Sequence, residues 1–327
     1  MYSFAMLFPG QGSQYIGMLS SFFYKNDNII KQTFKEASHY IKYDLLKLIT
    51  EGPKEKLNQN KYTQAAILTS SVSIYRLWNS KNGISPLLMS GHSLGEYSAL
   101  VCSNAMKFSD ALKIVFLRGK LMEKTSINRP ALMNAIIGID KKIVQTACAI
   151  YSKKQVVSLA SINSHDQIVI SGDKNAVYKT SLKCKKFGAK NIFNLNINIA
   201  AHSELMKPIC EKLNKILKVT VIRPPKIPII NNVDVKFENT GKKIKNALIR
   251  QIYSTVRWQE IINLIELKKI FMILEVGPNK ILTNLNKKNK NFISFSTNNL
   301  KNFLIAFKKI NKGSYEKKQK NGINYRG

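Results

Sequence analysis

The segment Gly91-His92-Ser93-Leu94-Gly95 sets a serine between glycines two residues away on either side. It follows the apolar run Pro86-Leu87-Leu88-Met89 and precedes the helix-compatible Glu96-Tyr97-Ser98-Ala99-Leu100-Val101. This spacing suits nucleophilic chemistry. A serine hydroxyl attacks a carbonyl well only when a sharp strand-to-helix turn offers it to a base and brings backbone N–H groups to the developing oxyanion. Side chains at 91 and 95 would collide with the neighbouring strand and helix, so such a turn requires glycine there. Ser93 is therefore the candidate nucleophile. Small residues also populate ordinary strand-to-helix turns, and context has to decide.

The base must come from four histidines. His39 lies within a helical pattern and reads as a surface or satisfied helix residue. His165, in Asn163-Ser164-His165-Asp166, reads as a solvated turn residue. His92 directly precedes Ser93, and alternation along an extended strand points its ring to the opposite side. His202, in Ile199-Ala200-Ala201-His202-Ser203, is placed where a loop meets a helix, after small residues that leave room for substrate; it is the candidate base. Spacing alone makes Arg118 a surface arginine satisfied by an acid such as Glu123. Gln11 stays undecided between a loop amide and a functional group.

These residues need a scaffold. Phe4-Ala5-Met6-Leu7-Phe8 predicts a strand ended by the turn Pro9-Gly10-Gln11-Gly12-Ser13, where a binding loop is commonly found. Helical patterns follow over Ile29–Leu48 and Ala65–Trp78. After the Ser93 turn, Ser109 reads as the N-cap of a helix running to Met122. Alternating β and α implies a parallel sheet. Between 132 and 197 the order becomes strand 132–139, helix 140–151, strand 156–162, strand 168–172, helix 173–187 and strand 191–197. That is the βαββαβ unit of ferredoxin-like folds. A helix from His202 to Leu217 and strands Ile227–Asn231 and Phe271–Val276 then resume the first pattern.

The predicted fold class is thus α/β, an α/β-hydrolase-like parallel-sheet domain (1–128 and 199–307) carrying a ferredoxin-like subdomain (129–198). A basic, flexible tail is expected over 308–327. The site is expected in the cleft between the two parts.

With 327 residues, 44% of them hydrophobic, the chain can bury the core of a globular enzyme. The four cysteines, 102, 148, 184 and 210, form no Cys-x-x-Cys pair, so neither a metal site nor a disulfide framework is suggested and a cytoplasmic location is expected. No signal segment or membrane span is apparent. A net charge of +33 raises nucleic acid as a partner. The lysines are nevertheless spread along the chain among Asn and Ile, without a nucleic-acid motif, which reads as compositional bias that also suits an acidic partner.

Pro9-Gly10-Gln11-Gly12-Ser13-Gln14, Gly91-His92-Ser93-Leu94-Gly95-Glu96-Tyr97, Arg118-Gly119, Ala201-His202-Ser203 and Glu275-Val276-Gly277-Pro278 together resemble the malonyl-CoA:acyl carrier protein transacylase family. The likeness runs from about Phe4 to about Leu285. It implies that Ser93 takes up malonyl as an ester and that His202 serves as base and then acid. It implies that the backbone carbonyl of Gln251 orients His202, that the N–H groups of Gln11 and Leu94 form the oxyanion hole, and that Arg118 pairs with the malonyl carboxylate. Malonyl-CoA and acyl carrier protein would be the partners, with no nucleic acid, membrane, metal or resident cofactor, and a monomer is expected. Departures from the family pattern are Asn279, Ser161 and Arg129-Pro130. Two other readings stand beside this one. In the first, a serine esterase or thioesterase uses Asp166 or Asp173 to orient the base; in the second, a basic nucleic-acid-binding protein uses the Ser93 turn only structurally.

Overall fold

The computed structural model describes residues 3–23, 28–195 and 197–322, with side chains as far as residue 311. Its strands are, in chain order, β1 (Phe4–Phe8), β2 (Leu88–Gly91), β3 (Ala131–Ile137), β4 (Val157–Ser164), β5 (Gln167–Asp173), β6 (Asn191–Asn194), β7 (Ile229–Ile230), β8 (Met272–Glu275) and β9 (Ile293–Ser296). Five of them form a sheet in the order β7-β2-β1-β8-β9, every pair parallel. Parallel pairing demands crossover connections that cover both faces. Side-chain alternation along β1 shows the result. Phe4, Met6 and Phe8 enter the larger core, while Ala5 and Leu7 pack on the other side with Trp258, Ile261 and Ile265.

The remaining four strands form an antiparallel sheet, β4-β5-β3-β6, with the helices Lys141–Tyr151 and Lys174–Lys186. This is the expected βαββαβ unit, its element ends within three residues of prediction. One face of that sheet, with Ile136, Ile168 and Ile170, packs under the two helices around Val144 and Val177. The other face, with Met133, Ala135, Ala160 and Val169, joins the main core. The insert therefore lies over the main domain as a roof.

The helix Asn60–Ser80 runs through the middle of the main core and is buried on nearly every side. Its small residues Ala65, Ala66, Thr69 and Ser70 permit that, and the hydroxyls of Thr69 and Ser70 return to the carbonyls four residues back, satisfying them without water.

Several local expectations change. The second helix after the Ser93 turn starts at Phe108, with Lys107 rather than Ser109 at its N-cap position. The stretch expected as one helix from His202 is a 3-10 turn, Glu204–Ile209, followed by the helix Cys210–Val219; Pro208 lacks the N–H an α-helix would use. Strand β9 and the helix Leu300–Gly322 were not expected. That helix crosses the 307/308 boundary because Phe303, Ala306 and Ile310, spaced for one helical face, are all fully buried. Phe303 and Phe307 pack on Trp78. Residues 323–327 of the expected tail lie outside the described residues. Among the described residues, no helix is long and apolar enough to cross a membrane.

Candidate active site

β2 ends at Gly91 and the helix Gly95–Cys102 begins four residues later, so the chain reverses over His92, Ser93 and Leu94. Ser93 sits at the crest with φ of 50°. Such a left-handed conformation costs a serine roughly 1–3 kcal/mol and persists only when the surroundings impose it. A Cβ on Gly91 would lie 1.9 Å from the carbonyl carbon of Gly95, and one on Gly95 would lie 2.1 Å from the carbonyl oxygen of Phe8. Backbone against backbone is thus the reason for both glycines.

His202 faces this serine from the loop leaving the insert. Its backbone is also left-handed, with φ of 63°, and is pinned by its N–H to the Ile252 carbonyl. From the insert, Ser171 Oγ on β5 donates to the carbonyl of Ala201 at 2.6 Å. The imidazole Nε2 stands 2.8 Å from Ser93 Oγ, and Nδ1 stands 2.8 Å from the carbonyl oxygen of Gln251. A carbonyl can only accept, so Nδ1 carries the proton and Nε2 is free to receive the hydroxyl proton. Burial, and then the charge of Arg118, push the His202 pKa down to about 3.

Arg118, on the helix Phe108–Lys124, is buried beside this pair. Its Nη1 donates to Gln64 Oε1 at 2.9 Å, and its Nη2 to Ser93 Oγ at 3.1 Å and Gln251 Oε1 at 3.4 Å. Its Nε has no hydrogen-bond partner among the described residues. Every one of these acceptors is neutral. Glu123, the alternative partner considered for Arg118, instead receives the N–H of Asn60 at the start of the central helix. Burial lowers the Arg118 pKa from its ordinary value.

The N–H groups of Gln11 and Leu94 donate to no protein acceptor among the described residues, and both residues line the crevice that holds Ser93. The Gln11 side chain is fixed by Asn60 Oδ1. The crevice encloses about 420 Å³. Its floor comes from the ends of β1 and β2, and its roof from Met133, Ala135, Ala160 and Val169 of the insert. The expected cleft between the two parts is therefore where Ser93, His202, Arg118, Gln11 and Leu94 converge.

Two expectations fail here. His92 does not turn away: it lies beyond the end of β2, where strand alternation no longer applies, and it lines the same crevice. Its Nε2 meets Asn163 Oδ1 at 2.9 Å and its ring packs on Trp258. The triad reading also fails, since Asp166 is engaged by Lys288 and Ser164, and Asp173 by Arg129 and the Val156 N–H. Neither aspartate is bonded to His202. Arg129, read as a departure in the hinge, proves to be a fixed anchor for Asp173. Asn279, another departure from the family pattern, does not adopt a left-handed backbone.

Sequence reasoning missed Gln64, Glu96, Asn163 and Asn232. Glu96 stood inside the elbow motif, but a buried glutamate on a helix has the same spacing as an exposed one. Asn232 gives no local signal at all, being 139 residues from the serine whose N–H it accepts.

Residues 5–303 match the acyl transferase domain family. The chain is 64% identical over 310 residues to the malonyl CoA-acyl carrier protein transacylase of Buchnera aphidicola subsp. Schizaphis graminum, covering 95% of this chain and all of that one. It superposes with a TM-score of 0.89 on the crystal structure of an acyl carrier protein S-malonyltransferase from Vibrio cholerae, 42% identical, over 93% of this chain and 99% of that one. The TM-score is 0.91 against a malonyl-transacylase described in complex with its type II polyketide synthase acyl-carrier protein, 40% identical over 94% and 99% of the two chains. With identity at this level over nearly the full length, the chain belongs to the malonyl-CoA:acyl carrier protein transacylases, within the acyl transferase domain family.

Proposed function

We propose that Ser93, His202 and Arg118 carry out the reaction of this family, in which malonyl passes from malonyl-CoA to the thiol of acyl carrier protein for fatty acid synthesis. The observation that carries the assignment of residues is the buried Arg118 guanidinium, held against the Ser93–His202 pair with only neutral acceptors. None of its bonded partners is charged, and the Glu96 carboxylate acts on it only through space, so a substrate carboxylate can supply the direct countercharge that this desolvated guanidinium lacks. The guanidinium fork matches a carboxylate in two parallel bonds, which an acetyl group cannot make.

In the first half-reaction, the Ser93 hydroxyl proton moves to His202 Nε2 as Oγ bonds to the thioester carbonyl carbon. The oxyanion is received by the N–H groups of Gln11 and Leu94. The C–S bond breaks, and the CoA thiolate takes the proton from His202. In the second, the carrier-protein thiol gives its proton to His202 and attacks the Ser93 ester; Oγ leaves and is reprotonated. The Gln251 carbonyl accepts the Nδ1 proton throughout, so only Nε2 exchanges a proton with the reacting groups.

The low His202 pKa then acquires a purpose. With Arg118 uncompensated, proton acceptance by His202 is opposed. Burial, the larger cause, persists when substrate binds, but the malonyl carboxylate offsets the part that comes from Arg118, so the base gains some strength when the correct dicarboxylic donor is bound.

We further propose that residues 129–198 act as a subdomain roofing the site, and that the chain works as a cytoplasmic monomer without nucleic-acid or membrane partners and without a metal or resident cofactor. Its basic surface suits an acidic carrier protein. Intact-protein mass spectrometry after brief exposure to malonyl-CoA tests the core of this reading. One malonyl group should be gained by the native chain and none by Ser93→Ala. Equal labelling of both would assign the nucleophile elsewhere.

A further inference from the structure

We infer that Glu96 is a positioning residue for the transfer, its carboxylate locking Gln251 and Asn232 against the elbow and so fixing both Ser93 and the carbonyl that orients His202. This rests on Ser93 and His202 being nucleophile and base.

The elbow backbone is gripped by two side-chain amides. Asn232 Oδ1 accepts the Ser93 N–H at 2.7 Å while its Nδ2 donates to the Gly91 carbonyl, also at 2.7 Å. Gln251 Nε2 donates to the Ser93 carbonyl at 3.1 Å. Both gripping residues are tied to one atom. Glu96 Oε2 accepts Gln251 Nε2 at 2.8 Å and the Asn232 N–H at 3.1 Å. The carboxylate is buried. Its two bonds are charge-assisted, which makes them stronger and more directional than amide-to-amide bonds. The strained Ser93 backbone is held by partners that are themselves held, as a preorganised site requires.

The same carboxylate bears on the residue that orients the base. Gln251 supplies the carbonyl to His202 Nδ1 from its main chain and binds Glu96 through its side chain, so the Glu96 bond anchors that residue against the elbow at the end of its helix. The charged and titratable groups facing Glu96 are Arg118, Asp234 and Tyr97, and Glu238 lines the same small cavity. Burial outweighs its two hydrogen bonds and Arg118, and raises its pKa to about 7. Protonation at lower pH removes the charge from both bonds. Burial and Arg118 hold the His202 pKa down in the free chain, and the Glu96→Gln profile separates a limb set by Glu96 from one set by the base.

The test is malonyl transfer over about pH 5.5–9 for the native chain, Glu96→Gln, Glu96→Ala, Asn232→Ala and, as a control, Glu275→Gln, whose carboxyl also titrates at about 7. The native kcat is expected to fall below neutrality, Glu96→Gln to lack that limb, and Glu275→Gln to keep it. At pH 8, Glu96→Ala should lose on the order of 100-fold in kcat, with KM for malonyl-CoA within about threefold of native, since misplacing reacting groups acts on turnover. Asn232→Ala should fall in the same direction. A native limb that survives in Glu96→Gln, or vanishes in Glu275→Gln, overturns the inference, as does an unchanged kcat in Glu96→Ala. Should Glu96→Ala fail to fold, the isosteric Glu96→Gln decides by its pH profile. A His202→Ala chain that acylates at the native rate would instead defeat the underlying assignment of the base.

Discussion

Arg118 and Arg129 stand at opposite extremes of how this chain uses a cation. Arg118, at the floor of the crevice, is buried with neutral oxygens as its bonded partners. Arg129, at the entrance to the insert, holds both oxygens of Asp173 at 2.5 and 2.8 Å, with its own side chain 52% exposed. The second pair is complete in itself: the carboxylate is buried, its charge is met by both nitrogens, and the arginine stem stays half exposed. The first is an arrangement that only a ligand completes. The contrast extends to the acids. In the parallel-sheet half, Glu96 and Glu275 are buried and titrate at about 7, whereas Asp166 and Asp173 in the insert lie beside cations that lower their pKa values. The contrast belongs to the buried floor of the site, since elsewhere in the same half Asp234 pairs with Arg250 and Glu260 with Arg257.

The largest effect should come from emptying the unbalanced position. Arg118→Ala is expected to lower kcat/KM for malonyl-CoA by on the order of 10³, and to collapse the preference over acetyl-CoA, because a buried polar contact designed for the substrate is lost. Arg118→Lys should recover only part, as a point charge lacks the planar fork. Competition between the two donors, read as the ratio of acyl-enzymes by mass spectrometry, measures this directly. A preference surviving in Arg118→Ala would make Arg118 structural and erase the contrast with Arg129.

Titration sharpens the comparison of acids. Glu275 receives the N–H groups of Leu282 and Thr283 and the Thr283 hydroxyl, anchoring the segment whose Ile281, Leu282 and Leu285 wall the crevice. Its pKa rises from 4.5 to about 7, chiefly by burial. The folded chain therefore keeps a proton there that the unfolded chain has released, and its stability declines as pH rises across that window, by about 3 kcal/mol, and then levels. His202 acts oppositely, since its depressed pKa removes stability as pH falls from 6.5 towards 3. The difference between native and Glu275→Gln unfolding free energies, followed by denaturant titration at several pH values, isolates the glutamate. That difference should shift in favour of the variant between pH 4.5 and 7. A pH-independent difference would show that Glu275 is not titrating there.

Salt separates buried from exposed charge. Transfer to the carrier protein should slow several-fold from low to physiological-range ionic strength, because encounter depends on exposed lysines. The malonyl-over-acetyl ratio set at Arg118 should hardly move, the guanidinium being shielded from solvent. A carrier step indifferent to salt would remove the steering role from the basic surface.

Much of this was legible in the sequence, for physical reasons that also mark where legibility ends. The elbow could be read because glycine spacing records a backbone collision, which is local. The βαββαβ insert could be read because each element shows its own periodicity. The histidine could be found because four candidates left little choice. Asn232 and Gln64 could not be found, since each acts through contacts made only when distant helices and strands pack. Arg118 was misread from spacing for a related reason: the helix Asn60–Ser80 buries it, and that helix has polar residues all round, without an amphipathic stripe to announce its depth. His92 was misplaced by extending strand alternation one residue past the strand.

The smallest effect belongs to the pair that is already satisfied. Asp173→Asn removes the charge opposite Arg129 and weakens the bond to the Val156 N–H, at the point where β5 gives way to the helix Lys174–Lys186. The expected cost is about 1 kcal/mol in thermal or chemical unfolding, because the arginine relaxes into solvent rather than being stranded. Turnover should stay within about threefold of native, and Asp166→Asn should behave likewise. This tests more than stability. An esterase-type triad aspartate would cost orders of magnitude in kcat when changed to asparagine. A large loss at either position would mean that the insert supplies a charge to the base, and that the division between a reactive floor and a self-sufficient roof is drawn in the wrong place.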